Sequence, residues 1–594
     1  MSALGWAKLE TGDLQGAQTA FKDVLNTNPQ DVSALHGLGR VALAAKHYGI
    51  AADLLAQAGK LSPSSERLAF DHVQALGALS AVEPANAQIH YALAQALMAL
   101  GDCEAARDAA LAALMADPCH VGARWLVNRM LPRIYLNSQE IAVWRRRLAT
   151  GVAILEASVN PKSPEEAAHE LPGLLFGTNF ELAYQGQDDK PIQISYGRLV
   201  HRVMSAYLPD LASPPSPKPF AERQDKRIRL GFASSFFTSH TIALLFAGWM
   251  RHLDRKRFLI HLYLTNGKSD ASTRSLAGMS DVFRELQGDL AQAARTIRED
   301  DLDALIYPDI GMDPKSMALA SLKLAPLQMM SWGHPVTSGL ASIDIFLSSE
   351  LMEPEDAQSH YSERLVRLPN ISVAYQPASL PQKKSRSDFG LPGEGSVLYL
   401  CCQAHQKYLP GFDRVFTDIA LKLPNARFIF IKHRTRHLDN RRFQARLEMV
   451  FKSAGLDPAK HLHFLTWLDW GDYLDLNGVC DVFLDSIGWS GGNTTLEALS
   501  RHLPVVTLPS NLMRGRHAYA ILKRLDLDDC IAKDTEGFVE IAVRLGSDSS
   551  RRQEIRDRIA AGRDRLFNDL APVRALEEIV AKAVGKIADL AIPL

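Results

Sequence analysis

The sequence predicts an α + α/β protein: an N-terminal α-solenoid followed by two doubly wound α/β domains. Three observations carry this. Residues 1 to about 131 repeat with a 34-residue spacing. Beyond a proline-rich stretch, short apolar strands alternate with amphipathic helices, in two successive series. Late in the second series, between Cys480 and His517, a strand, a Gly-rich turn, a helix start and another strand follow one another directly. At 594 residues the chain is too long for one core, so several domains are expected.

In the repeat, Ala17, Phe21 and Pro29 return as Ala51, Leu55 and Pro63. Gly12, Asp13, Ala17 and Pro29 return as Gly101, Asp102, Ala106 and Pro118. A Gly at the inter-helix turn, a small residue where helices touch and a closing Pro form the tetratricopeptide (TPR) pattern. Ser64–Ala85 is off register, which gives about three repeats with one degenerate. Such a solenoid implies a concave surface for a protein or peptide partner; a purely structural or dimerising array is the alternative.

Leu131 to about Leu211 reads as helical, with Trp144, Leu148 and Leu155 on one face and no legible function. Within it TNFELAYQGQDD (Thr178–Asp189) breaks the pattern and reads as a structured loop. PDLASPPSPKPF (Pro209–Phe220) holds five prolines and reads as a stiff linker. The expected boundaries are therefore 1–131 for the repeats, 132–225 for a helical connector and linker, 226–375 for the first α/β domain, and 376–594 for the second with a C-terminal helix.

The first α/β series has strands expected at Ile228–Ala233, Phe258–Tyr263, Leu302–Tyr307, Leu327–Trp332 and Ile343–Leu347, with helices over Leu244–Met250 and near Leu290–Arg298. The second has strands expected at Ser396–Cys402, Arg427–Ile431, His461–Trp467, Cys480–Ser486 and Pro504–Leu508. Ligands of such domains bind at the carboxyl ends of the strands, in the cleft between the halves. Neither half has a GxGxxG fingerprint after its first strand or a GxxxxGK[ST] loop, which argues against a dehydrogenase and a P-loop NTPase. The turn Gly488–Gly492, with Thr494 and Thr495 opening the next helix, is instead an anion-holding arrangement: close backbone, first-turn N–H groups, the helix dipole and two hydroxyls. An ordinary βα turn has the same outline.

Composition narrows the class. Lys+Arg 66 against Asp+Glu 67 gives a net charge of -1, which removes the general electrostatic case for nucleic-acid or acidic-membrane binding. No apolar run reaches membrane-span length, and MSALGWAKLETGD has no signal-peptide layout, so the expectation is cytoplasmic. The six cysteines show no metal-ligand spacing and are expected to be reduced.

Five motifs in order then resemble a known family: LGFASSFFTSH (Leu230–His240), LAPLQMMSWGHPVTSG (Leu324–Gly339), HYSERLVRLP (His360–Pro369), the Lys407 region and GGNTTLEAL (Gly491–Leu499). With the repeats, they resemble the O-linked N-acetylglucosamine transferases and SPINDLY-like proteins, glycosyltransferase family 41, over roughly 1–131 and 226–570. The resemblance implies a GT-B fold of two Rossmann-like domains. It also implies inverting, metal-independent transfer of a sugar from a nucleotide donor, first of all UDP-N-acetylglucosamine, to a protein Ser or Thr. No cofactor beyond the donor is expected. A similar layout occurs in bacterial flagellin glycosyltransferases, so a CMP-nonulosonic acid donor stays open. A non-catalytic scaffold that only binds nucleotide also stays open, as does an enzyme for small-molecule or glycan acceptors.

Carried over by motif, His240 matches the family's essential histidine near the acceptor, a candidate for the base, and Lys407 the lysine on the leaving diphosphate. Gly491, Gly492, Asn493, Thr494, Thr495 and Glu497 are the expected donor-binding set, Glu497 for a ribose hydroxyl. His334, Asp309, Tyr473 and Arg516 are further candidates for the cleft, with Asp313, Arg514 and His517 beside them. Each has a plain alternative as a turn brace or helix cap. The chain departs from the animal enzymes in having Asn493 for a histidine, Cys401, Cys402 and Gln403 before the lysine, and Tyr473 for a histidine near the nucleotide. These positions surround the donor, so its identity stays open.

Overall fold

The computed structural model describes residues 1–215, 222–377, 381–393 and 395–590. It falls into two compact units: Met1–Leu136 with Lys432–Arg446, and Asn137–Ile431 with Leu447–Leu594.

The first unit is helical. Three hairpins pair Ser2–Glu10 with Leu14–Thr27, Val32–Ala44 with Tyr48–Leu61, and Ala87–Leu100 with Cys103–Ala116. Asp13, Asp31, Asn86 and Asp102 each cap a helix by accepting a backbone N–H. Ala17, Ala51 and Ala106 are fully buried at the crossings. Phe21 needs Gly5 and Gly37 beside it: a Cβ there would stand 2.6 and 2.2 Å from its ring. The off-register stretch is a single helix, Glu66–Val82, without a hairpin partner of its own, which is why the period slips.

Lys432–Arg446, which the sequence places in the second α/β domain, belongs to this unit. Buried Asp439 pairs with Arg133 at 3.4 Å. Arg442 donates to the Gly101 carbonyl (2.8 Å) and Arg446 to that of Tyr135 (2.5 Å). The segment is a polar, charged helix start with no repeat signature, so nothing in its own sequence names its partner.

The second unit contains two parallel sheets among the described residues. The first is built from β1 (Ile228–Ser234), β2 (Phe258–Leu264), β3 (Val282–Glu285), β4 (Ala304–Tyr307), β5 (Leu327–Ser331), β6 (Ile345–Ser349) and β7 (Arg364–Leu368), in the order β3-β2-β1-β4-β5-β6-β7. The second is built from β8 (Val397–Cys401), β9 (Ala426–Ile431), β10 (Leu462–Leu465), β11 (Val482–Leu484) and β12 (Val505–Val506), in the order β10-β9-β8-β11-β12. Strand order reverses at β1/β4 and at β8/β11, so the chain leaves those four carboxyl ends beside a crevice. β3 and β7 are sheet edges with exposed, charged positions, and the apolar-run criterion passes over them.

The proline-rich stretch, expected as a stiff linker, is docked where it begins: Leu211 is buried, Asp210 pairs with Arg295 at 2.6 Å, and Arg298 donates to the Ser213 carbonyl. Its portion 216–221 lies outside the described residues. The C-terminal helix Ala571–Leu590, expected with the second α/β domain, packs on the first. Glu577 accepts the Asp254 N–H at 2.7 Å and Arg574 donates to the His252 carbonyl. An amphipathic helix shows that it has an apolar partner, not which one.

Candidate active site

A cleft of about 770 Å³ opens between the two sheets' helices, within the usual range for a small-molecule site. One wall carries Thr238–Thr241, Leu244 and Arg251; the other carries Trp467, Trp470, Tyr473, Asn493, Thr494 and Glu497.

His240 follows β1 and caps the helix Thr241–His252, its Nδ1 accepting the Ile242 N–H at 3.2 Å. Burial lowers its pKa to about 4, so it is neutral at pH 7. An occupied Nδ1 acceptor leaves the ring proton on Nε2. His240 on this wall is therefore a hydrogen-bond donor.

On the other wall the helix Asn493–Ser500 starts at Gly492. Thr494 lines the cleft, and its Oγ1 accepts from Gln403 Nε2 at 2.7 Å. Gln403 Oε1 in turn accepts from Lys407 Nζ at 2.9 Å. Lys407 thus stands one residue behind the wall, with its Nζ 5.5 Å from the centre of the Trp489 ring. Burial lowers its pKa to about 8, opposed by the nearby carboxylate of Asp485. Asp485 fastens the Gly-rich turn: it accepts from Ser490 Oγ (2.6 Å), the Gly491 N–H (2.7 Å) and Thr507 Oγ1 (2.7 Å).

Glu497 accepts from Trp470 Nε1 at 2.8 Å, and burial raises its pKa to about 7. Asn493 lies beside it and also lines the cleft. Tyr473 lines the same wall, its hydroxyl 3.4 Å from Cys402 Sγ.

Several expected site residues face elsewhere. Thr495 is fully buried and donates to the Gly491 carbonyl at 2.6 Å, one turn back, so its hydroxyl is spent inside the protein. The Gly491 N–H is held by Asp485, and Gly492 is the helix cap. Neither glycine is on the cleft wall; Gly491 is needed because a Cβ there would stand 2.3 Å from Gln403 Nε2. His334 is buried against Phe180 and Trp489, and burial lowers its pKa to about 3. Asp309 is buried, accepting from Ser234 Oγ at 2.8 Å, and burial raises its pKa to about 7. Asp313 caps the helix Pro314–Ser321. Arg516 donates to the Met352 and Ser510 carbonyls, and Arg514 is buried on Asp189. His517 is buried beside Lys407, with a pKa lowered to about 3 by burial and that charge.

The sequence reading passed over Trp467 and Trp470, which are 55% and 44% exposed on the cleft wall, and Gln403 as a link. In the sequence the signal is the pair of tryptophans three apart in WLDW, where Asp469 caps the helix Trp470–Val479. Among the described residues no group of three or more His, Cys, Asp or Glu side chains is placed to share a metal ion. None of the described helices is long and apolar enough to cross a membrane.

Comparison with known proteins agrees with this architecture. The description "Glycosyl transferase family 41" matches residues 215–375 and 375–574, and "Tetratricopeptide repeat" matches 2–66 and 73–118. The chain is similar to the probable UDP-N-acetylglucosamine–peptide N-acetylglucosaminyltransferase SPINDLY of Arabidopsis thaliana, 25% identical over 348 residues, covering 57% of this chain and 37% of that protein. It is also similar to the UDP-glucose:protein N-beta-glucosyltransferase of Actinobacillus pleuropneumoniae, 25% identical over 305 residues, covering 50% of this chain and 47% of that one. The chain thus spans less than half the length of these relatives. Among solved structures, a mutant of the Thermobaculum terrenum O-GlcNAc transferase has a TM-score of 0.61 at 22% identity, over 100% of this chain and 98% of that one. The fold is GT-B preceded by helical repeats, and the chain belongs to glycosyltransferase family 41.

Proposed function

We propose that the protein transfers a sugar from a nucleotide diphosphate donor, UDP-N-acetylglucosamine first among them, to a Ser or Thr hydroxyl of a protein that docks on the helical repeats. The observation that carries the reading is the facing of His240 and Thr494 across one cleft, with the Lys407–Gln403–Thr494 chain behind the second wall. Direct displacement at the anomeric carbon inverts configuration and leaves negative charge on the departing diphosphate. The Lys407 ammonium, the Thr494 hydroxyl and the helix start at Gly492 meet that charge, with no metal ion or further cofactor required. Glu497 accepts from the donor's ribose, and Trp467 and Tyr473 offer aromatic surface beside it. His240, a donor at Nε2, positions the acceptor oxygen rather than taking its proton, as a base at this position would; the hydroxyl proton passes to an oxygen of the departing diphosphate. Both relatives are named for UDP-sugar donors, which supports a UDP donor over a CMP donor.

The test is a thermal-shift screen of UDP- and CMP-sugars, followed by turnover on a bound donor. UDP-N-acetylglucosamine is expected to raise the melting temperature saturably. Lys407→Ala is expected to lower turnover by about 10²–10³-fold, as for loss of a transition-state charge stabiliser. Stabilisation by a CMP-nonulosonate alone overturns the donor assignment. Absence of any nucleotide-sugar binding overturns the enzyme reading in favour of a scaffold.

A further inference from the structure

The loop Thr178–Asp189 takes no part in the chemistry above, yet it is built into the site. Phe180–Gln185 forms a 3₁₀ turn. The Tyr184 ring lies on the Trp489 ring, centroids 4.4 Å apart and planes 21° apart. Phe180 meets both edge-on, at 5.4 Å from Tyr184 and 6.1 Å from Trp489. Ala183 and Val336 complete a buried cluster around the pair. The loop cannot drift, because Asp189 at its end is held by Arg145 (2.8 Å) and Arg514 (3.0 Å), and Thr178 at its start donates to the Gly311 carbonyl. Trp489 itself belongs to the Gly-rich turn, and the Lys407 ammonium lies over its ring.

We propose that Tyr184 is a positioning residue for Lys407: stacked on Trp489, it fixes the aromatic face over which the ammonium sits and keeps water from it. Stacking and the cation–π contact share one ring, so freeing that ring releases both. The connector thereby holds the charge that meets the leaving group, and this consequence rests on the proposed role of Lys407. The brace itself does not.

The two are tested separately. With lysines reductively ¹³C-methylated and the Lys407 signal assigned by its loss in Lys407→Arg, NMR titration reads that amine directly. In the wild type it is expected to titrate near 8, lowered by burial, against roughly 10.4 for an exposed lysine. Tyr184→Phe keeps the ring and is expected to leave this unchanged. Tyr184→Ala is expected to move it up by at least about one pH unit as water reaches the amine, because rehydration outweighs the lost cation–π contact, which acts the other way by about half a pH unit. Tyr184→Leu, which keeps apolar volume without the stack, is expected to do the same should the alanine variant not fold. An unmoved titration in a folded Tyr184→Ala or Tyr184→Leu variant overturns the proposal. So does a Tyr184→Phe variant that shifts like alanine. UDP affinity is read alongside and is expected to fall about 10-fold in the alanine or leucine variant. If the titration moves and wild-type protein binds no UDP, the brace stands and the nucleotide reading falls.

Discussion

Gln403 makes a sharp test of how the second wall is organised. Lysine has only donors, so Oε1 of Gln403 must face Lys407 and Nε2 must face Thr494. Thr494 Oγ1 therefore accepts, and its own O–H is left to donate into the cleft. In Gln403→Glu the shape persists, but a carboxylate oxygen replaces the amide N–H. The Thr494 hydroxyl then turns inward to donate to it, and the new negative charge pairs with Lys407. Loss of one hydrogen bond to a charged phosphate is worth about 1.5–3 kcal/mol. That corresponds to about 10–150-fold weaker UDP binding, before the lost lysine charge is counted. Gln403→Met cuts both links without reversing the hydroxyl, so it is expected to weaken UDP less. The assay is isothermal titration of UDP at pH 7 with matched salt. Gln403→Glu binding within about threefold of wild type, or Gln403→Met binding more weakly than Gln403→Glu, would refute the donor–acceptor assignment.

The neighbouring threonines are expected to separate cleanly. Thr494→Val should weaken UDP by about 10–150-fold with little change in Tm, whereas Thr495→Val should keep UDP affinity and lose about 1 kcal/mol in urea unfolding. The opposite outcome would place Thr495 on the cleft. Acid stability gives a different check through His334. Its native pKa lies near 3 against roughly 6.5 unfolded, so as pH falls the unfolded chain binds the proton first. The stability from its neutral form is complete above about 6.5 and drains away as pH falls toward 3. Asp309 and Glu497, with pKa values raised to about 7, act in the opposite sense, so the wild-type-minus-variant difference is the quantity to measure. Between pH 7 and 4.5, wild type should lose about 2–3 kcal/mol more than His334→Gln. Parallel urea-derived stability curves would show that His334 is not held neutral by burial.

Much of the fold was legible because parallel strands are covered on both faces and read as apolar runs, as in FLIHLYL of β2 and VLYLC of β8. β3 (VFRE) and β7 (RLVRL) are edges and carry charge, so the same rule misses them. The site was legible as a place and less so as a set of side chains. Thr494 and Thr495 are adjacent in sequence and about 100° apart around the helix, so one meets the cleft and the other the core. Only the packing partner fixes that phase. His334 and Asp309 stand just past strand ends, where cleft-facing and buried positions look alike in sequence. Tyr184 and Trp489 meet across distant parts of the chain, and neither segment has a periodicity that announces the other.

The helical-repeat unit is not a continuous length of chain. It recruits Lys432–Arg446, which the gene encodes after most of the catalytic fold. Cutting out Met1–Leu136 would leave Asp439 without Arg133, and Arg442 and Arg446 without the carbonyls of Gly101 and Tyr135. Exchange of the N-terminal segment between relatives would carry across only part of a folded body. New repeats would have to accept the resident Asp439 and its arginines, or arrive with a matching change some 300 residues downstream. Grafting and recombination at this junction are therefore constrained by a second site in the chain, which must either suit a transplanted repeat array or move with it.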